Sequence, residues 1–278
     1  MFKRLKKFIA TLTMSSSEKT IGTIRQPDTK SAEAAPEFRE VRCVLSSQTY
    51  GPRDEVPGKS LRMAIMHAGN NGVKWVSDVS KNGWGFSAAR NNAVETTLAA
   101  VESGQERIDY IVWVDSDIVL EPNTLTKLVW TAANSGFDFF TGVYHQKNEE
   151  AKPVIYDFQN KWWPLPVRFN ACVSYPPDRI APIGGCGFGI CITSVKMLQY
   201  MKASRHWEEI GKWFPDTRDI KGGSGEDLNF CKLAIQCGYQ LYVHTGIQVG
   251  HHGGSRIFTR EDFDGNRIEK IREAREEV

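Results

Sequence analysis

Short apolar runs alternate with segments of helical spacing from Val41 onward. Val41 to Leu45 predicts a strand ending at Ser46-Ser47, Pro52 to Gly58 predicts loop, and Leu61 to His67 fits either helix or strand. Val73 to Val79 predicts a second strand with Asp78 near its end. After the turn Gly83-Trp84-Gly85, Ser87 is placed to cap a helix running to about Glu102. Tyr110 to Val114 is apolar at every position, the pattern of a strand buried on both faces. Pro122 opens a helix to Asn134, and Phe137 to Tyr144 predicts another strand. Strand, helix, strand, helix, strand predicts an α/β fold with a mostly parallel central sheet and helices on both faces.

The second half is less regular. Trp162-Trp163-Pro164-Leu165-Pro166 predicts a proline-stiffened aromatic loop, and Ile183 to Val195 is glycine-rich and then apolar. Gly222-Gly223-Ser224-Gly225 predicts a flexible lead into a helix that opens on Glu226-Asp227 and ends near Gly238. Tyr239 to Val243 predicts a strand, Ile247 to His252 follows it, and the charged tail beyond Arg260 predicts a solvated helix.

The Tyr110 run stops on Asp115-Ser116-Asp117. Strand side chains alternate, so Asp115 and Asp117 are expected to point the same way, their anchor points roughly 6.6 Å apart at ~3.3 Å per residue. Two carboxylates at the carboxyl edge of an α/β sheet suit a hard divalent cation and the phosphates it carries. As a pair alone, they also fit surface turn aspartates.

Composition narrows the partners. The 278 residues are 41% hydrophobic and 24% charged, with net charge +2. That balance is too mild to make nucleic acid the main partner. None of the six cysteines forms a C-x-x-C pair, which predicts reduced, mostly buried thiols and a cytoplasmic setting. The first fourteen residues place Phe2, Leu5, Phe8, Ile9 and Leu12 at helical spacing among Lys3, Arg4, Lys6 and Lys7. Such an arm fits either peripheral contact with an anionic membrane or a frayed, solvated start. Residues 1–40 together predict an arm and linker.

Ala89-Arg90-Asn91, Asp115-Ser116-Asp117, Gly225-Glu226-Asp227 and Gly250-His251-His252-Gly253 occur in an order and spacing that resembles GT-A glycosyltransferases, most closely family 2. Gly185-Cys186-Gly187-Phe188-Gly189 is similar to that family's glycine-rich stretch beside the donor sugar. The resemblance covers roughly residues 41–254. It implies a Rossmann-like GT-A domain, with residues 41–145 as the nucleotide-binding half, 146–254 as the acceptor and catalytic half, and 255–278 as a tail.

The resemblance also implies roles. A nucleoside-diphosphate sugar would donate to an acceptor hydroxyl, with Asp227 as the base of an inverting displacement and Glu226 on an acceptor hydroxyl. Asp117, with Asp115 directly or through water, and His251 would hold Mn2+ or Mg2+; His252 is the alternative ligand. Ser46, Asp78, Arg90, Asp115 and Gly187 would contact the nucleotide sugar, Arg90 pairing with Asp78 or with phosphate. Trp162 and Trp163 would stack on the acceptor. A retaining enzyme, or a binding module that has lost turnover, fits the same motifs. Aspartate-based phosphotransferases fit less well, because their D-x-D usually sits on the first strand; no phosphate loop of the Walker type is present.

Overall fold

The computed structural model describes residues 40–49, 53–158, 169–172, 174–218 and 223–265. The basic arm, Trp162, Trp163, Gly222 and the tail beyond 265 lie outside them.

A seven-stranded sheet runs in the order β2-β1-β3-β10-β5-β11-β8. Its members are β1 (Val41–Ser46), β2 (Val73–Asp78), β3 (Tyr110–Val114), β5 (Phe139–Val143), β8 (Ile180–Ile183), β10 (Ile190–Ser194) and β11 (Leu241–Gln248). β2, β1 and β3 pair in parallel, as do β5 and β11. β10 is antiparallel to both β3 and β5, and β8 is antiparallel to β11. The sheet is thus mixed, with five strands one way and two reversed, β10 wedged into its middle and β8 at its edge. An apolar run reveals burial but not direction, so the reversal of β10 leaves no mark in the sequence.

Period-two alternation sorts the side chains. Ile111 and Trp113 enter one core with Val44, Phe139, Phe188, Phe214 and Phe230; Val112 and Val114 enter the other with Cys43, Leu45, Phe140 and Ile192. Helices α2 (Phe86–Glu102), α4 (Val195–Lys202) and α6 (Glu226–Gln236) contribute to the first layer, α1 (Glu55–Asn70) and α3 (Thr124–Ser135) to the second. A short helix, α5 (Arg205–Ile210), lies between α4 and α6 in the chain. Both faces are covered, which is why β3 is apolar throughout.

Several expected boundaries move. Residues 55–58 belong to α1 rather than to a loop; a proline in the first turn costs no intrahelical hydrogen bond. Gly85, not Ser87, caps α2, and the Ser87 hydroxyl instead donates to the Phe214 carbonyl at 2.5 Å. All six cysteines are free thiols, four of them buried.

Two small sheets complete the described part. One joins β4 (Ile118–Val119), β12 (Gly250–His252) and β13 (Ile257–Phe258); the other joins β6 (Ile155–Phe158), β7 (Phe169–Ala171) and β9 (Gly185–Cys186). Among the described residues no helix is long and apolar enough to cross a membrane.

Candidate active site

β3 ends at Val114, and the chain turns at once. The Asp115 N–H donates to the Gly189 carbonyl (3.0 Å), and the Ile118 N–H closes back on the Asp115 carbonyl (3.2 Å). The alternation expected of a continuing strand therefore fails across the acidic pair. The two carboxylates diverge, each into its own set of partners.

Asp115 faces Arg90. This arginine projects from α2 into the interior and is only 2% exposed. One terminal nitrogen donates to both Asp115 oxygens, at 2.9 and 3.2 Å. The other donates to Glu226 Oε1 at 3.1 Å and to Asp227 Oδ1. Phe86, Phe188 and Phe214 lie within 5.2–6.0 Å of the guanidinium carbon. The expected Arg90–Asp78 pair does not form. Asp78 is exposed at the edge strand and accepts from the Ser80 N–H (2.9 Å) and hydroxyl. A guanidinium taken out of water needs carboxylates buried with it, and α6 and the β3 turn supply three.

The charges shape one another. Burial raises the Asp115, Asp227 and Glu226 carboxyls, and Arg90 opposes the rise in each. Burial works against the Arg90 charge, yet Asp227, Asp115 and Glu226 hold it above the ordinary arginine value. Asp227 Oδ2 also accepts the Phe188 N–H at 3.2 Å, so the glycine-rich segment and the start of α6 are tied at this carboxylate.

Asp117 belongs to a second group. Pairing of β4 with β12 sets His251 beside Ile118, and the His252 N–H donates to the Asp117 carbonyl at 2.7 Å. His251 Nδ1 lies 2.6 Å from the His145 carbonyl oxygen, which fixes a proton on that nitrogen. Its Nε2 then faces Asp117 Oδ2 at 3.3 Å, and Lys147 Nζ donates to the same oxygen at 2.5 Å. Burial alone would raise the Asp117 carboxyl; hydrogen bonds from His251 and Lys147 hold it far below the usual carboxylate range. Tyr144 stands edge-on against the His251 ring at 5.2 Å. His252 turns away, its Nδ1 3.1 Å from Asp54 Oδ2 without the alignment of a hydrogen bond.

Asp115, expected next to the ion, is committed to Arg90. Among the described residues no three or more His, Cys, Asp or Glu side chains are grouped to hold a metal. Asp117 and His251 remain as a convergent pair.

At the ends of β1 and β2 the Ser46 hydroxyl is buried and accepts from Gln48 Nε2 (2.6 Å), and Ser47 Oγ donates to the Val114 carbonyl (2.6 Å). Arg53 reaches Ser47, in the field of Asp78, Asp115 and Asp117. Gly187 has a reason within the protein: a Cβ there would meet Val154 Cγ1 at 2.9 Å and the Tyr144 hydroxyl. Nothing in the sequence marks Arg53 or Lys147. Both lie in polar loops with no periodic or motif signal.

The sequence model for "Glycosyl transferase family 2" matches residues 71–188, which takes in Arg90, the acidic pair and the glycine-rich segment up to Phe188. No curated protein matches the chain. A solved structure described as "Crystal Structure of A197 from STIV" aligns at a TM-score of 0.50 and 18% identity, covering 80% of this chain and 92% of that one. At that identity the likeness speaks to the fold.

Proposed function

For a chain with a family 2 glycosyltransferase domain in a GT-A fold, we propose transfer of a sugar from a nucleoside diphosphate to an acceptor hydroxyl. One observation carries this reading. A single buried guanidinium holds Asp115 at the β3 turn and Asp227 at the start of α6, while the next acidic residue, Asp117, meets His251. Residues more than a hundred positions apart thus converge at the carboxyl edge of the sheet, where open α/β folds bind ligands.

Asp227 acts as the base in this reading. Its carboxylate takes the proton of the acceptor hydroxyl as that oxygen attacks the anomeric carbon, whose bond to the diphosphate oxygen breaks with the electron pair leaving on phosphate. The result is inversion. Glu226 shares the Arg90 charge and stands beside the base, set to hold an acceptor hydroxyl. Burial raises the Asp227 pKa, which improves its basicity, and Arg90 limits the rise.

The Asp117–His251 pair fits a divalent cation. With its Nδ1 proton fixed by a carbonyl, His251 meets Asp117 through Nε2, and on giving up the Nε2 proton it offers a lone pair to an ion that shares this carboxylate oxygen. A mixed nitrogen and oxygen set suits Mn2+, with Mg2+ as the other candidate. When bound, such an ion supplies Lewis-acid stabilisation of the departing diphosphate. Ser46 and Asp78, at the ends of β1 and β2, are assigned to the nucleoside.

The test is a panel of UDP-, GDP- and CDP-sugars with Mn2+ or Mg2+, run on the wild type, Asp117→Ala and Asp227→Asn. Asp227→Asn is expected to lower kcat by about 10²–10⁴-fold, the range of a positioned base. The wild-type rate should fall as acid protonates Asp227, and the raised pKa places that limb above the ordinary aspartate value of 3.8. NMR of the product anomer distinguishes inversion from retention.

The Arg90–Asp227 contact favours one competing reading, in which the neutralised carboxylate leaves a donor-binding protein without turnover. Metal-dependent donor binding with no product from any sugar in the panel would establish that alternative.

A further inference from the structure

Lys147 has no part in the roles above. It follows β5 in a loop closed on itself. The Gln146 N–H donates to the Lys152 carbonyl (2.8 Å), and the Ala151 N–H donates to the Asn148 carbonyl (3.1 Å) and side-chain oxygen (3.0 Å). His145 and Pro153 form a β-bridge at its base. The backbone that carries Lys147 is therefore anchored, while its side chain remains 38% exposed and able to leave.

The ammonium occupies a meaningful place. It sits 2.5 Å from Asp117 Oδ2, the oxygen that His251 Nε2 approaches to 3.3 Å. A cation bound between Asp117 and His251 would take its electron pair from that same oxygen. An ammonium and a dication cannot share it, because their repulsion at such a separation is large even in a polar medium.

We propose that Lys147 is a tethered counter-ion that competes with the divalent cation for Asp117 and swings off when the cation binds. The inference rests on the reading of Asp117 and His251 as a cation site. In the ion-free protein Lys147 neutralises Asp117 and holds it in place. Once displaced, the flexible four-carbon stem leaves a mobile positive charge beside the site of the incoming diphosphate. The ion is thus weakly held alone and meets a lysine ready for the donor's phosphates.

The experiment titrates Mn2+ alone into the full chain, by calorimetry and by water-proton relaxation. Lys147→Gln is expected to bind Mn2+ about fivefold more tightly than the wild type, the scale of an exposed ion pair. Lys147→Arg keeps the charge and should bind no more tightly than the wild type. Lys152→Gln removes the same charge from the same loop at a lysine paired with Glu150, 2.7 Å away, and should leave the affinity unchanged. Asp117→Asn should abolish binding. If Lys147→Gln binds as the wild type does, or more weakly, the competition is overturned and the cation site stands. Equal tightening in Lys147→Gln and Lys152→Gln would make the effect one of loop charge and would likewise overturn it. If neither the wild type nor Lys147→Gln binds Mn2+, the cation site and the competition fail together.

Discussion

Arg90 is the residue whose loss should cost most. Removing it leaves Asp115, Glu226 and Asp227 crowded and uncompensated around a cavity lined by phenylalanines. Breaking a buried pair from one side typically costs about 3–5 kcal/mol. Arg90→Met is expected to lose stability of that order in urea unfolding, and Asp227→Asn much less, because Arg90 keeps two carboxylates. His145 gives a second outcome at this scale. Burial lowers its pKa from 6.5 to about 4, so the folded protein binds fewer protons than the unfolded chain. Its contribution is therefore complete above the unfolded value and is lost as pH falls toward the folded one. Between pH 7 and pH 5 the loss is at most about 2 kcal/mol, and His145→Gln should flatten that part of the urea-stability profile. Neither environment was legible in the sequence. Arg90 and Asp227 are 137 positions apart, and nothing local to either names the other. Asp117 stands out in the sequence as one of two carboxylates at a strand end, whereas His251 follows only from the family resemblance.

At the scale of elements, the glycine-rich segment shows how packing and chemistry share a constraint. A Cβ on Gly189 would lie 2.7 Å from Tyr144 Cε1 and Cζ, and Tyr144 in turn stands against His251. Gly189→Ala must displace a buried ring, at about 1–3 kcal/mol for an overpacked core. The same variant should weaken Mn2+ binding through the shifted histidine, a change that calorimetry would read alongside the unfolding midpoint. Periodicity located β1, β3 and α2 closely, since each buries a continuous stripe, and the edge strand β2 from its apolar start at Val73. It could not place the β4–β12 ladder, whose two-residue and three-residue strands are too short to carry a period. Nor could it foresee that the acidic pair bends out of register, because a turn of three residues looks the same as the end of a strand.

For the whole molecule, ligands that bind only the folded state should stabilise it. With Mn2+ and the nucleoside diphosphate selected by the donor panel, each at about 100 times its Kd, the unfolding free energy should rise by roughly 2.7 kcal/mol per independent site. Asp117→Ala should lose the Mn2+ part of that gain in thermal melts. The overall α/β plan was readable because alternating element types leave a coarse signal that survives local errors. Strand order was not, because it depends on which edges meet after the chain has doubled back.

That doubling back has a consequence for synthesis. Ile190–Ser194 lies between Tyr110–Val114 and Phe139–Val143, which are made much earlier. A nascent chain that has left the ribosome only as far as residue 150 carries two raw edges facing a gap and nothing to fill it. The amino-terminal portion therefore cannot settle as an independent foldon, and it waits, exposed to wrong pairing, until the missing ribbon emerges.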